Sequence, residues 1–245
     1  MEQRGEKDSE NNTMSVELHL LNLSDCLEAP VEPYLCYFTA ARQAAILRYR
    51  FPSDRNRTVW AELLARWLIG QRTGQSVRDI VIARDERGKP RWEGGNLCFS
   101  LSHSGPWAAC SLGAEPNGVD VETDRRIDLN IAKHFFRPEE YETLKGLSRR
   151  ETEEWRRAFL RYWTLKESCL KCLGTGLSGD MRKVDCAALL KGEGPVVGAG
   201  PLAGQNFELP GGAVIGIVST GAPPGSFTLL RPHTEGQVFN FVPLG

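Results

Sequence analysis

The sequence predicts an α+β fold built from two similar lobes. Segments whose apolar residues recur at helical spacing alternate with short apolar runs that are typical of strands, and this layout occurs in both halves of the 245-residue chain. We therefore expect an N-terminal lobe over residues 16–116 and a C-terminal lobe over 117–245, which together form a pseudo-dimer. The hydrophilic stretch before them, residues 1–15, is expected to form a disordered leader.

The first lobe begins with a predicted strand at 16–21 and a helix over 32–50. A second helix, 54–71, has Asp54 as its expected N-cap and carries an apolar stripe at helical spacing. A strand at 80–83 follows. The stripe consists of Trp60, Leu63, Leu64, Trp67 and Leu68.

Three short apolar runs between residues 97 and 122 predict strands, and the short links between them favour an antiparallel meander. In a meander the first and third strands run in the same direction. Ser102 and His103, at the end of the first strand, would then lie at the same end of the sheet as Asp120 and Glu122. Two carboxylates beside a polar turn could bind a divalent metal together with a phosphate, so we expect such a site here.

The second lobe has a different balance of elements. A short helix is predicted over 127–134, a second over 138–147 with a proline at its first position, and a long helix over 153–173 with a buried aromatic face. The stretch 184–242 is rich in glycine and proline and predicts strands and loops, the clearest strand being 213–219.

Composition excludes several classes of protein. Apolar residues make up 41% of the chain and charged residues 25%, which is ordinary for a globular protein. Thirty basic residues against 31 acidic ones give no bulk attraction for nucleic acid. No apolar run approaches the length of a membrane span. We expect no nucleic-acid partner and no membrane partner.

The cysteines predict a reducing, cytoplasmic environment. There are seven, an odd and scattered set that does not suggest a disulfide framework. Cys169 and Cys172 have the spacing of zinc ligands, but no second pair completes four ligands and the segment is strongly helical. Buried cysteines on a helix face are the favoured interpretation.

Three carboxylates are the candidate metal ligands. Asp120 and Glu122 alternate on a strand, and Glu167 lies on the long helix at the edge of its aromatic face. Three carboxylates facing one point repel one another unless a cation neutralises them, and oxygen-only ligands select Mg²⁺ or Mn²⁺. Lys166 and Lys171 flank Glu167 and suit a pyrophosphate, although Lys171 is equally well spaced for an ion pair with Glu167.

The motifs together resemble a known family. The order GKP, FSLSHSGPWAAC, GVDVE, FFRPEEYETL and WTLKESCLKCLGTGL is similar to that of the 4′-phosphopantetheinyl transferases, over residues 42–177. The length favours the larger, two-lobed type that activates peptide and polyketide synthetases over the compact trimeric carrier-protein synthases. The resemblance implies a monomer with its active site at the interface of the two lobes.

The resemblance also implies a role for each matching residue. Magnesium would be held by Asp120, Glu122 and Glu167. The nucleotide end of coenzyme A would contact Arg42, Arg48, Arg57, Thr58, Lys89, Ser102 and His103, with Ser102 and His103 at the 3′-phosphate region. The catalytic set would be Glu140, as the base for the carrier serine, with Lys166 and Lys171 near the pyrophosphate.

The implied reaction is transfer of the 4′-phosphopantetheine arm of coenzyme A to a serine of an apo carrier protein, with release of adenosine 3′,5′-bisphosphate. The carrier could be an acyl, peptidyl or aryl carrier domain serving fatty acid, polyketide, nonribosomal peptide or siderophore assembly, and the sequence does not distinguish these. Two other hypotheses stay open: a binding module without turnover, and a metal-dependent phosphohydrolase of a related nucleotide. The basic segment 145–150, with Arg149 and Arg150, is a candidate docking surface for an acidic carrier.

Overall fold

The computed structural model describes residues 15–123, 129–147, 152–176, 179–198 and 200–244, and in them it confirms a mixed α+β architecture. The helices are α1 (Ala40–Leu47), α2 (Pro52–Thr73), α3 (Leu129–Phe135), α4 (Pro138–Gly146), α5 (Glu153–Leu173) and α6 (Cys186–Lys191). The strands are β1 (Glu17–Asn22), β2 (Ile82–Arg84), β3 (Pro90–Trp92), β4 (Cys98–Ser104), β5 (Trp107–Gly113), β6 (Asn117–Glu122), β7 (Val196–Val197), β8 (Gly200–Glu208), β9 (Val214–Thr220), β10 (Thr228–Glu235) and β11 (Val238–Pro243).

The first sheet takes strands from both ends of the described chain. Its order is β11-β10-β1-β5-β4, with β10 parallel to β1 and the other neighbours antiparallel. Helix α2 packs on this sheet, and the ring of Trp60 contacts those of Phe239 and Phe241 on β11. Residues 228–243 therefore complete a sheet whose other strands lie between residues 17 and 113. The division into lobes at residue 117 remains a prediction.

The second sheet has the order β6-β9-β8-β7 and is covered by α5. Two glycines allow the helix to lie directly on the strands. A Cβ atom on Gly118 would lie 2.0 Å from the carbonyl oxygen of Ser168, and one on Gly216 would lie 2.7 Å from that of Thr164. Glycine is needed where two backbones approach this closely. The result fixes α5 against β6, the strand that carries Asp120.

The predicted three-strand meander is wrong in one respect. Strand β6 pairs with β9 in the second sheet, because β5 is already paired on both of its edges by β1 and β4. Strand β6 nevertheless lies beside β4, joined through the side chains of Ser100, Ser102 and Ser104, which we call the serine row. Their Oγ atoms accept hydrogen bonds, each 3.2 Å long, from the backbone N–H groups of Val119, Val121 and Thr123 respectively. This rising register confirms that β4 and β6 run in the same direction.

Several element boundaries differ from the predictions for local reasons. The helix expected over 32–50 is interrupted at the extended residue Phe38, after which Thr39 caps α1 by accepting from the N–H of Arg42. Helix α2 begins at Pro52, so Asp54 lies in its first turn and is not its cap. The sequence prediction missed α6, a helix of six residues capped by Asp185. Helices α4 and α5 and strand β9 lie within one residue of their predicted bounds.

The structure also bears on membrane spans and on the cysteines. None of the helices in the described stretches is both long and apolar enough to cross a membrane. The seven cysteines are all free thiols. Cys169 and Cys172 lie on the buried face of α5, as predicted, and burial raises the pKa of Cys169 to about 11 and that of Cys172 to about 12.

Candidate active site

A cavity of about 520 Å³ lies where β4 of the first sheet approaches α5, the helix that covers the second sheet. It gathers residues from α1, α2, the β2–β3 turn, β4 and α5. The predicted site residues that line it are Arg42, Thr58, Lys89, Ser102, His103 and Lys171. Separate predictions from distant segments of the chain therefore meet at one surface.

Two lysines of this cavity are held at the C-terminal end of α5. The Nζ of Lys171 donates to Asp120 Oδ1 at 2.7 Å and to the carbonyl of Val119 at 3.0 Å, so its partner is Asp120 and not Glu167. The Nζ of Lys89 donates to the carbonyl of Lys171 at 2.6 Å and to that of Cys172 at 3.3 Å. The last carbonyls of a helix are unsatisfied and carry partial negative charge, so they fix an ammonium group in place.

Two other predicted residues are not among the lining residues. Arg57 donates to the carbonyl of Gly105 at 3.2 Å and pairs with Asp54. It therefore joins the start of α2 to the β4–β5 turn. Arg48 is an exposed residue at the end of α1. Their predicted contact with the nucleotide end of coenzyme A remains a prediction.

His103 is neutral at neutral pH. Although the residue is exposed where it lines the cavity, its pKa is lowered to about 4. The first cause is burial of the ring by the surrounding protein, which disfavours its charged form. The next causes are the positive charges of Arg57 and Lys171. An anion placed in the cavity would favour the protonated ring.

The carboxylates lie along the join between β4 and β6. Asp120 is only 6% exposed, and its Oδ1 accepts from Ser102 Oγ at 2.8 Å as well as from Lys171. Its Oδ2 is buried with no hydrogen-bond partner in the described part of the chain. Glu122 Oε2 accepts from Ser104 Oγ at 2.9 Å. The pKa of Glu167 is raised, first by burial and then by the charge of Asp120, with a smaller effect from Glu122.

These observations bear on whether a divalent cation fits. Within the described residues, no three His, Cys, Asp or Glu side chains are gathered as a ready-made metal site. The donor chemistry is nevertheless suitable, because Oδ2 of Asp120 is buried without a partner and the charges of Asp120 and Glu122 disfavour ionised Glu167. A cation would relieve both conditions. The chemistry of these three carboxylates therefore suits a hard cation such as Mg²⁺, and their role as its ligands remains a prediction.

Glu140 and Lys166, the other two predicted catalytic residues, lie away from this cavity, and their catalytic roles remain predictions. Lys166 is fully buried; its Nζ lies 2.7 Å from Glu140 Oε2 and donates to the carbonyls of Met181 and Val184. Glu140 also accepts from the N–H of Arg137 at 2.9 Å, which caps α4. Neither residue lines the cavity. They form a buried ion pair that joins α4 to α5.

The sequence contained a signal for this placement. Lys166 follows Phe159 by seven residues and Tyr162 by four, so it lies on the aromatic face of α5, where all three are packed around Phe136. Glu167, one residue further, is turned about 100° around the helix. The Trp-Thr-Leu-Lys-Glu motif thus points its lysine into the core, whereas its glutamate lies near enough to Asp120 for that charge to raise the pKa of Glu167, after burial.

Sequence reasoning missed other residues at the cavity. Tyr49, Arg84 and Arg87 line it, and Glu62 lies beneath it with 2% exposure. The basic residues in and beside the predicted turn at 86–90 were the signal for Arg84 and Arg87. No comparable signal marked Glu62, which stands in the middle of the helical apolar pattern.

Size alone does not identify the site. A larger cavity, of about 770 Å³, lies between α4, α5 and β8, and none of the predicted site residues line it. Its charges are exposed ion pairs, such as that between Arg161 and Glu208. The candidate docking residues Arg149 and Arg150 lie outside the described residues.

Two family models match consecutive parts of the chain. A family model described as 4′-phosphopantetheinyl transferase, N-terminal, matches residues 32–116, and one described as the 4′-phosphopantetheinyl transferase superfamily matches residues 116–209. The two matched ranges together contain the whole lining of the cavity.

Individual relatives are moderately similar. The 4′-phosphopantetheinyl transferase Sfp of Bacillus subtilis is 31% identical over 148 residues, which are 60% of this chain and 65% of Sfp. The 4′-phosphopantetheinyl transferase HetI of Nostoc sp. is 32% identical over 173 residues, 67% of this chain and 72% of HetI. The L-aminoadipate-semialdehyde dehydrogenase-phosphopantetheinyl transferase of Xenopus laevis is 28% identical over 155 residues, 56% of this chain and 49% of that protein.

The aligned region spans slightly less than two thirds of the Bacillus relatives Sfp and psf-1. It spans more than two thirds of HetI at 32% identity. With the two family matches, this shows that the chain belongs to the 4′-phosphopantetheinyl transferase superfamily.

Proposed function

We propose that this protein transfers the 4′-phosphopantetheine group of coenzyme A to a serine hydroxyl of an apo carrier protein and releases adenosine 3′,5′-bisphosphate. The observation that carries the proposal is the contact between a basic cavity and Asp120, one of the three predicted metal ligands. Lys171 is shared between them, because it lines the cavity and pairs with Asp120. Coenzyme A has the matching order of charges, with a phosphorylated nucleotide at one end and a pyrophosphate beyond it.

The cavity would bind the nucleotide end. Its lining includes the cationic residues Arg42, Arg84, Arg87, Lys89 and Lys171. Arginine suits phosphate because its planar fork donates two parallel hydrogen bonds. Lys171 and the carboxylates would then orient the pyrophosphate. Mg²⁺ bound to Asp120, Glu122 and Glu167 would supply neutralisation of the charge that develops on the phosphates.

The carrier serine must lose a proton as it attacks. The structure does not favour Glu140 for this role, because Glu140 pairs with Lys166 and with the N–H of Arg137. We assign acceptance of this proton to one of the carboxylates Asp120, Glu122 and Glu167, or to a water molecule that they bind. The chain's main contribution is positioning and fixed charge, as is usual in phosphoryl transfer.

The experiment is to incubate the protein with coenzyme A, Mg²⁺ and a panel of apo carrier proteins, and to weigh the carriers. We expect a mass gain of one phosphopantetheine on at least one carrier, and its loss in Asp120→Asn. Free phosphopantetheine without a modified carrier would favour the phosphohydrolase hypothesis. Tight binding of coenzyme A without any product would favour a binding module.

We further propose apo carrier proteins as the partners, and the cytoplasm as the compartment. The seven free thiols support a reducing compartment. A near-neutral chain, with 30 basic and 31 acidic residues, does not attract acidic carriers by net charge, so docking would depend on a local surface. The monomeric state remains a prediction, which sedimentation equilibrium tests.

A further inference from the structure

A buried glutamate beneath the cavity binds three arginines. Glu62 lies on α2, and its Oε2 is 2.8 Å from Arg42 Nε and 3.4 Å from Arg84 Nη2. Its Oε1 is 3.6 Å from Arg66 Nη2. One carboxylate therefore faces three guanidinium groups that come from α1, α2 and β2.

The three arginines have different surroundings. Arg66 is buried, donates to the carbonyl of Ile80 and lies over the ring of Phe38, so it belongs to the core. Arg42 and Arg84 line the cavity. Both contact the same oxygen of Glu62, which places their guanidinium groups side by side at the surface that would bind the nucleotide.

Without Glu62 these cations would repel one another. Burial lowers the pKa of Arg84, and the charge of Arg42 lowers it further, whereas Glu62 raises it. Arg66 shows the same opposition between Arg42 and Glu62. Arginine stays charged in proteins, so the repulsion would be relieved by movement of the two side chains that are free to move, those at the cavity.

We propose that Glu62 is a positioning residue for the nucleotide end of coenzyme A. It accepts from Nε of Arg42 and from Nη2 of Arg84, while Nη1 of Arg84 donates to the carbonyl of Gly88. The terminal N–H groups of Arg42 thus face the cavity ready to receive a phosphate, beside an Arg84 that is held at both Nη atoms. This inference rests on the proposed function. Its role is pre-organisation: the ordering of two flexible side chains is completed before the ligand arrives.

A positioning role for Glu62 and simple electrostatics predict opposite effects of Glu62→Gln on the affinity for the nucleotide. Glu62→Gln removes a negative charge beneath an anion site, so charge alone would tighten binding. Loss of the arginine geometry instead weakens it. We expect the KM for coenzyme A to rise about tenfold, the value of one hydrogen bond to a charged group, with kcat and the KM for the carrier little changed.

A matched control and a binding measurement keep the test independent of turnover. Glu86→Gln removes the same charge from the exposed β2–β3 turn beside the cavity and should not raise the KM for coenzyme A. Calorimetry with adenosine 3′,5′-bisphosphate should show the same loss of affinity in Glu62→Gln. In a variant that already has Arg42→Gln and Arg84→Gln, adding Glu62→Gln should change affinity little.

A folded Glu62→Gln protein with unchanged or tighter nucleotide binding would overturn the positioning role. If that variant does not fold, Glu62→Asp keeps the charge and withdraws the carboxylate by one methylene, and a smaller rise in KM is expected. An unchanged KM in Glu62→Asp would then also count against the proposal. Failure of the proposed function is distinguishable, because the unsubstituted protein itself would then modify no carrier.

Discussion

The two oxygens of Asp120 lie in different surroundings, and this asymmetry describes the site at the scale of single residues. Oδ1 is saturated by Ser102 and Lys171, while Oδ2 is buried with no hydrogen-bond partner in the described residues. A buried polar atom without a partner costs stability, so it persists where another function requires it. The ionised form of the neighbouring Glu167 is disfavoured first by burial and then by the nearby charge of Asp120, so the pKa of Glu167 is raised.

We expect Glu167→Gln to raise thermal stability while it reduces transfer. The pKa of Glu167 is raised in the folded state, so its ionised form opposes folding at neutral pH. Removal of that charge should raise Tm, by about 2–4 °C for each kcal/mol gained. The measurement is Tm with and without Mg²⁺. Mg²⁺ should stabilise the unsubstituted protein more than the variant, and equal stabilisation of both would argue against Glu167 as a ligand.

His103 predicts a pH dependence with a definite sign. Its pKa is about 4 in the folded state and near 6.5 when unfolded, so the unfolded chain binds the proton first as pH falls. Stability should therefore decrease as pH is lowered from 6.5 to 4. The decrease should be smaller in His103→Gln. Parallel curves of Tm against pH for the two proteins would contradict a lowered pKa of His103 in the folded state.

At the scale of elements, the serine row joins the two sheets without a backbone ladder. Each of its hydroxyls accepts from an N–H of the segment 119–123, and two of them also donate to a carboxylate of β6. The same side chains therefore hold β6 in place and orient Asp120 and Glu122. Alternation along β4 is required, because every second residue of a strand points to the same face.

Ser100 and Ser102 separate these two roles. Substitution of either by alanine leaves a buried N–H of β6 without an acceptor and should cost about 1–3 kcal/mol in urea unfolding. Only Ser102 also contacts Asp120. We therefore expect Ser102→Ala to raise the Mg²⁺ concentration needed for half-maximal transfer, and Ser100→Ala to leave it nearly unchanged. The same Mg²⁺ requirement in both variants would contradict an orienting role.

The contact of α5 with β6 predicts a large effect from one methyl group. In Gly118→Ala the new Cβ would lie 2.0 Å from the carbonyl oxygen of Ser168, a backbone atom that cannot rotate away. We expect a loss of more than about 3 kcal/mol, or failure to fold. Gly146→Ala at the end of α4, where no atom lies within 4 Å, is the control and should be close to neutral. Urea unfolding measures both.

At the scale of the whole molecule, the features that the sequence predicted well are those determined by residues close together in the chain. Helix α5 agrees with its predicted bounds because its apolar spacing, its Thr152 cap and the glycine at 174 all act within the segment. Ser102, His103 and Asp120 were expected to lie together because two short strands carry them in the same direction. Both predictions used residues close in sequence.

The remaining differences depend on distant partners. The choice of β9 as the neighbour of β6 is made about 100 residues later in the chain, so nothing between 97 and 122 could reveal it. The pairing of Glu140 with Lys166 depends on how α4 packs against α5. The position of Glu62 depends on three arginines that meet only after folding. Periodicity identifies a buried face, but it does not identify the charge that will lie opposite.

The parallel pairing of β1 with β10 also has a consequence for biosynthesis. About 200 residues separate the two strands, so at ribosomal rates β1 waits on the order of 10–40 s for this neighbour. During that time one edge of the nascent sheet has unpaired amides, and the ring of Trp60 lacks the cover of Phe239 and Phe241. The sheet whose first strand is synthesised earliest is thus completed last, and a ribosome-bound chain paused before residue 228 would present that edge to chaperones.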